Sequence, residues 1–456
     1  MNDILSFKTK TVNQGALILS CSTLISRFLG LIREWLLADR FGAGLQLDIY
    51  LTAFRIPDFI YNIFIVGGIV VAFLPLFSEH FNKDEKKAWQ FTNNLINVLL
   101  LILVLICFLL FLIAPQILTI IAPGFSAEAR SECVVLTRLM LLSPIFLGLS
   151  NIFSGILQHF NHFFSYALCP VFYNLSIIFG ILFLSSRFGV LGIAIGVVIG
   201  ALLHLLVQLP AAVNSGFKYE SVFNPKDPDL IRVLRLMLPR VFGVAAQQIN
   251  LIVMVVIAST LAEGSIAIFN FANNIQYLPV GVIGVSFATA AFPQFTRLQA
   301  RGETKEFVNR FKVIFKKIFY LIIPVSLLMF IFRGLIVNII LKHGSFSQMS
   351  AQLTSDSLAI FCLSLWAAAL MPLMFRAFFA FQDTKTPALI ALFTVILNVA
   401  LSFWFVDLIK SKPELNTSAI PSDQYAVLGL VLAFSLSTIV QFILSFILLK
   451  KKSEAI

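Results

Sequence analysis

Arg27, Arg33 and Glu34 stand inside residues 14–39, a stretch that is otherwise apolar and long enough to cross a bilayer. A charge at bilayer depth costs about 2.5–3.5 kcal/mol on insertion scales, so such residues normally face a bundle interior or a wet cavity. Guanidinium groups placed there suit bidentate recognition of phosphate or carboxylate. The plain alternative is a structural ion pair between Arg27 and Glu34, two turns apart. A cavity-lining role fits the helix better. At 100° per residue, Ser22, Ser26, Arg27, Gly30, Arg33 and Glu34 share an arc of roughly 140°. Leu24, Ile25, Phe28, Leu29, Leu31, Ile32, Trp35 and Leu36 fill the other side.

Three further polar stripes lie on apolar helices. Asp48, Arg55, Asp58 and Asn62 fall within roughly 80° of one another on a continuous helix, which Pro57 is expected to kink. Arg240, Gly243, Gln247 and Asn250 share a face, and Asn270, Asn273, Asn274 and Tyr277 recur at i, i+3, i+4 and i+7. Each amide alone reads equally well as helix glue, at roughly 0.6 kcal/mol per bond. Four stripes together point to a shared central cavity whose charged lining is mostly basic. Its cargo would be anionic at one end. Asn398 and Thr394, one turn apart, could help hold a cation, but helix glue is the simpler reading.

The elements that position these residues follow from composition. The 456 residues are 59% hydrophobic and only 12% charged, with a mean hydropathy of +0.95. A soluble domain would be about 45–50% apolar and about 25% charged. Windows of about 20 apolar residues predict an all-α polytopic membrane protein of twelve helices, near 14–38, 49–78, 91–114, 132–157, 164–185, 188–210, 232–261, 265–295, 312–341, 353–381, 387–409 and 425–449. The cations test this layout. With both termini in the cytoplasm, the inner loops hold the basic groups around 8–10, 83–87, 218–232, 297–317 and 450–452, with Lys385. The outer loops hold only Arg40, Arg130, Arg187, Lys342, Lys410 and Lys412. Most of the net charge of +11 is thus topological. A cytoplasmic loop near anionic lipid explains the 297–317 run more simply than nucleic acid does.

A turn-rich segment containing Asn224, Pro225, Lys226, Asp227 and Pro228 divides the spans six and six. The expected organisation is an N-terminal six-helix lobe (1–215), a cytoplasmic linker (216–231) and a C-terminal six-helix lobe (232–456). Six spans per half give parallel pseudo-symmetric repeats, whose rocking about a midplane site would give alternating access. A weak echo supports the repeat: FLPLFS from Phe73 to Ser78 ends span two, and FPQFT from Phe292 to Thr296 ends span eight. The five cysteines are scattered and read as packing residues. The five histidines, His159 and His162 included, form no metal pattern. Neither a phosphate-cradling Walker A sequence nor a catalytic triad or carboxylate pair stands out. No cofactor, metal or enzymatic activity is expected.

The residues now assembled resemble a known family. SRFLGLIRE from Ser26 to Glu34, FGAG from Phe41, Asp48 and AFRIPD from Ala53 to Asp58 are similar to the opening of the MurJ/MviN lipid II flippases. So are AFLPLFSE from Ala72, LPVGVIGVSFATAAFP from Leu278, HGSFS from His343 and RAFFAFQDTKTP from Arg376. The resemblance covers most of the chain and keeps its order. It implies the MATE-like fold shared with multidrug and polysaccharide exporters, two six-helix lobes around a central cavity. It implies transport of the undecaprenyl-pyrophosphate-linked peptidoglycan precursor to the outer leaflet of the cytoplasmic membrane. Partners would be that precursor, the bilayer and cell-wall synthesis proteins, with an ion gradient or the membrane potential as the energy source.

The family's cavity arginines match Arg27 and Arg33, and its acidic residue opening span two matches Asp48. Departures are specific. Where the family has a paired Arg-Arg and then Glu in span two, this chain has Tyr61, Asn62 and Val66. The family's arginine in span eight falls on Asn274. Arg55 and Arg240 are placed to compensate. The expected cargo-binding set is therefore Arg27, Arg33, Glu34, Asp48, Arg55, Asn62, Arg240, Asn270 and Asn274. The family commonly has two further C-terminal helices thought to hold the lipid tail. The sequence ends after span twelve, so the tail is expected to lie elsewhere. Other readings are an exporter of another lipid-linked saccharide or amphiphile, a non-transporting scaffold for cell-wall synthesis, and a membrane glycosyltransferase, for which no site is assembled.

Overall fold

The computed structural model describes residues 12–66, 68–411 and 422–454. Lys8, Lys10 and Lys412 lie outside these, and the side chains of Val66, Arg240 and Gly243 are likewise outside the described set. The described chain is helical, without strands. In order come α1 (Val12–Phe41), α2 (Leu45–Tyr61), α3 (Ile69–Lys83) and α4 (Glu85–Ile121). They are followed by α5 (Ala127–His159), α6 (Phe163–Phe188), α7 (Val190–Asn214) and α8 (Pro228–Ser259). The rest are α9 (Ser265–Ala300), α10 (Thr304–Ile331), α11 (Arg333–Ile340), α12 (Gln348–Ala380), α13 (Lys385–Lys410) and α14 (Ser422–Glu454). Among the described residues, nine helices are long and apolar enough to cross a membrane: α4 to α7, α9, α10 and α12 to α14. The charges of the candidate site sit on others, namely α1, α2 and α8.

Burial of the spans repeats along the chain. In α4, α5, α6 and α7 the buried share of the span is 28, 61, 33 and 44%; in α10, α12, α13 and α14 it is 17, 61, 28 and 44%. The second member of each series is thus an interior helix and the first a lipid-facing one. A second echo concerns backbone geometry. A π-helical turn, Asn62–Val66, follows α2, and another, Val280–Val285, interrupts α9. Each precedes the Pro-containing segment that buries Phe77 or Phe295 completely. Wide turns of this kind recur at functional sites.

Contacts divide the chain into two compact units. One comprises Met1–Arg40, Ile49–Ile120 and Phe125–Ala245; the other comprises Phe41–Asp48, Ile121–Gly124 and Ala246–Ile456. In the second unit, Leu365, Leu370, Met374 and Phe378 of α12 pack with Ala288, Ala291 and Phe295 of α9 and with Phe307, Phe311 and Ile318 of α10. Lipid tails are as apolar as leucine, so close packing rather than water release holds such helices together. In the first unit, Gly196 of α7 supplies that closeness. A Cβ there would lie 2.8 Å from the Ser176 carbonyl oxygen of α6.

The segment between α7 and α8 is stitched to α4. Asn93 Nδ2 donates to the Lys218 carbonyl (2.9 Å) and Asn97 Nδ2 to that of Val222 (2.8 Å). Asn94 exchanges two bonds with the Asn224 backbone, at 2.9 and 2.6 Å. Beyond it, His80 of α3 meets Asp229 at 2.9 Å. In the second unit, Asp383, between α12 and α13, accepts from Lys452 Nζ at 2.6 Å and from the Thr386 hydroxyl at 2.7 Å. Burial pushes the Asp383 carboxyl up, but these hydrogen bonds outweigh it and hold the group at about 2.

Candidate functional site

The apolar side of α1 is the exposed one: Leu24 and Phe28 are each 64% accessible, as a lipid-facing surface requires, whereas Glu34 is 8% accessible. Arg33 Nη2 donates to Glu34 Oε1 at 2.9 Å, and Arg33 Nη1 donates to Asn174 Oδ1 of α6 at 3.3 Å. The Asn174 amide is itself anchored, its Nδ2 donating to Ser26 Oγ at 3.1 Å and to the Pro170 carbonyl at 3.0 Å. Tyr50 and Tyr173 stand near enough to interact with the Arg33 charge. The result is a guanidinium held from two sides by polar partners within the first unit. The alternative pairing of Arg27 with Glu34 is not formed; Glu34 pairs with its neighbour in sequence. Arg27 is half-buried, with no hydrogen bond or ion pair to it among the described residues.

In the π-helical turn after α2, Asn62 Nδ2 donates to both the carbonyl and Oδ1 of Asp58, each at 2.9 Å. Arg55, three residues before Asp58, feels the charge of that carboxylate. Tyr61 and Tyr173 pack about the same core of Leu147 and Ala201. Arg55, Asp58, Asn62, Arg33 and Glu34 thus all belong to the first unit, on adjoining segments. Asp48 belongs to the second. It was expected among the cargo-binding residues, and the structure places it in a helix cap. Its Oδ2 accepts from the Gly264 amide at 2.7 Å and its Oδ1 from the Ala267 amide at 2.8 Å. A carboxylate there satisfies orphan N–H groups and complements the positive end of the α9 dipole. Gly264 has φ +86°, and a Cβ on it would run into the Ala43 carbonyl oxygen. Only glycine fits.

On α9, Ile266, Ala267, Phe271, Ala272 and Ile275 are buried. Asn270, Asn273, Asn274 and Tyr277 form the opposite, accessible side, with Tyr277 at 53%. Asn250 of α8 accepts from Asn398 Nδ2 of α13 at 2.7 Å. Thr394 donates back to the Ile390 and Ala391 carbonyls, both at 2.9 Å. These contacts make Asn250, Asn398 and Thr394 helix glue within the second unit. Among the described residues no group of three or more His, Cys, Asp or Glu side chains is placed to hold a metal.

Asn174, Tyr50 and Tyr173 were not anticipated. A signal for α6 existed: Tyr166, Cys169, Pro170, Tyr173 and Asn174 recur at i, i+3, i+4, i+7 and i+8, one face of a helix.

Comparison with known proteins agrees with this layout. Residues 37–456 match the family described as "Lipid II flippase MurJ". The "Probable lipid II flippase MurJ" of Buchnera aphidicola is 30% identical over 83% of this chain and 75% of its own length. The "Lipid II flippase MurJ" of Burkholderia cenocepacia is 28% identical over 87% of this chain and 78% of its own. A solved structure of lipid II flippase MurJ in an inward closed conformation superposes with a TM-score of 0.80 at 27% identity, over 95% of this chain and 87% of that one. An inward-facing MATE-family multidrug transporter shares the fold, with a TM-score of 0.76 at 16% identity. This multi-pass membrane chain therefore belongs to the MurJ lipid II flippase family.

Proposed function

We propose that this chain moves lipid II, the undecaprenyl-pyrophosphate-linked peptidoglycan precursor, from the inner to the outer leaflet of the cytoplasmic membrane, with both termini cytoplasmic. Two six-helix lobes joined through residues 216–231 alternate access to a site bearing Arg27, Arg33, Arg55 and Arg240. The observation that carries this reading is the Arg33–Glu34–Asn174 cluster in a member of this family. A guanidinium kept inside the membrane by polar partners is suited to a diphosphate and is costly without a use. The energy source is an ion gradient or the membrane potential. Expression in bacteria depleted of their own lipid II flippase tests the proposal, beside Arg27→Ala and Arg33→Ala variants at equal abundance. Growth with the parent and lysis with both variants is the expected result. A correctly inserted parent that fails to rescue overturns it.

A second reading has its own support. Tyr61, Asn62 and Asn274 occupy places where the family carries cations, and Asn62 is engaged with Asp58. A lipid-linked saccharide of lower headgroup charge would suit that lining. Competition between lipid II and an undecaprenyl-monophosphate-linked sugar for the purified protein separates the two readings.

A further inference from the structure

We infer that Asn174 is a positioning residue for cargo binding: it holds the Arg33 guanidinium in place while an incoming anion displaces Glu34. This rests on the reading of the cargo as a lipid-linked pyrophosphate. Glu34 already neutralises Arg33, so an anion must share or take over that carboxylate's place. Glu34 is poorly fastened for a buried acid. One bond, from Arg33, holds its Oε1, and Oε2 has no hydrogen-bond partner among the described residues. A carboxylate with an unsatisfied buried oxygen is the cheaper member of the pair to move. The two N–H groups of Asn174 Nδ2 are shared among three acceptors, the Ser26 hydroxyl, the Pro170 carbonyl and the Ser26 carbonyl at 3.4 Å. Its Oδ1 therefore stays where the guanidinium needs it when Glu34 swings away. Being neutral, it fixes Arg33 without competing for its charge. The guanidinium edge that Glu34 leaves is then free for two parallel N–H···O bonds to a phosphate.

Asn174→Asp separates positioning from mere helix contact. It keeps an acceptor for Arg33 but adds a permanent counter-charge that no cargo can displace. Binding is measured on the purified full chain in nanodiscs, with lipid II, with inorganic pyrophosphate and with uncharged undecaprenol. The expected result is a loss of about tenfold or more for both anionic probes and undiminished undecaprenol binding. Parental affinity for the anions in Asn174→Asp overturns the inference. So does equal weakening toward undecaprenol, which marks a structural role. If Asn174→Asp does not fold, Asn174→Ser decides in the same way, since its hydroxyl cannot reach Arg33. A parent that binds pyrophosphate but not lipid II removes the cargo reading and leaves the comparison to be made on pyrophosphate. A parent that binds neither removes both.

Discussion

The two units differ in the polar groups on their candidate faces. In the first, Arg33 is bonded to Glu34 and Asn174, and Asp58 to Asn62. In the second, the α9 amides Asn270, Asn273 and Asn274 form the accessible side of a helix whose remaining faces are packed. The difference follows from what each group costs. A charge inside the membrane needs a partner at all times. An amide carries no net charge and needs no permanent counter-ion. A clamp for charge and a rail for hydroxyls or amides are therefore built differently even on related helices.

The contrast breaks most visibly at Arg33. Arg33→Ala leaves Glu34 buried without its partner, so a destabilisation of about 3–5 kcal/mol is expected together with loss of growth rescue. Thermal unfolding and complementation read the two effects, and Arg33→Lys should recover stability more than transport, because it keeps the charge but not the fork. Next comes the α9 cap. Gly264→Ala forces a left-handed backbone onto a residue with no room for its Cβ, and about 1–3 kcal/mol should be lost. Asp48→Asn, which removes the charge but can keep one bond, should cost less, about 0.5–2 kcal/mol.

The α9 rail should behave in the reverse sense. Asn274→Ala is expected to change stability by no more than about 0.6 kcal/mol while weakening cargo binding. Asn274→Arg, which restores the family's cation, should shift preference toward pyrophosphate-bearing lipids in a competition assay. Last comes the Asp383–Lys452 contact, between Asp383 after α12 and the end of α14 in the second unit. With its carboxyl held at about 2 against an ordinary 3.8, it stabilises the fold above the ordinary range and loses that contribution as pH falls through about 2. Asp383→Asn should therefore cost under about 1 kcal/mol and the same amount at pH 6 as at pH 8. A pH-dependent difference in melting temperature across that window would contradict the assignment.

Periodicity alone located the α9 stripe, because a helix with one polar side has only one way to lie against its neighbours. The interior place of Glu34 and the lipid-facing place of Leu24 and Phe28 were legible for the same reason. Pairing was not. The choice of Arg33 over Arg27 as the partner of Glu34 depends on where α6 brings Asn174, 141 residues away. The capping role of Asp48 is set by amides 216 and 219 residues later, which no local pattern encodes. Asn174 shares one helix face with Tyr166 and Tyr173, and that face is hidden among aromatic residues that pass for membrane filling.

The stitching of residues 218–224 to α4 has a consequence for how this family can drift. Asn93, Asn94 and Asn97 donate to main-chain carbonyls, which every amino acid supplies alike. Most side chains in that stretch can thus change while its path stays put; the exceptions are Tyr219, whose hydroxyl donates to Asn97 Oδ1 at 3.0 Å, and position 224, which must keep an N–H for Asn94 Oδ1. The three asparagines themselves are where inheritance should be strict.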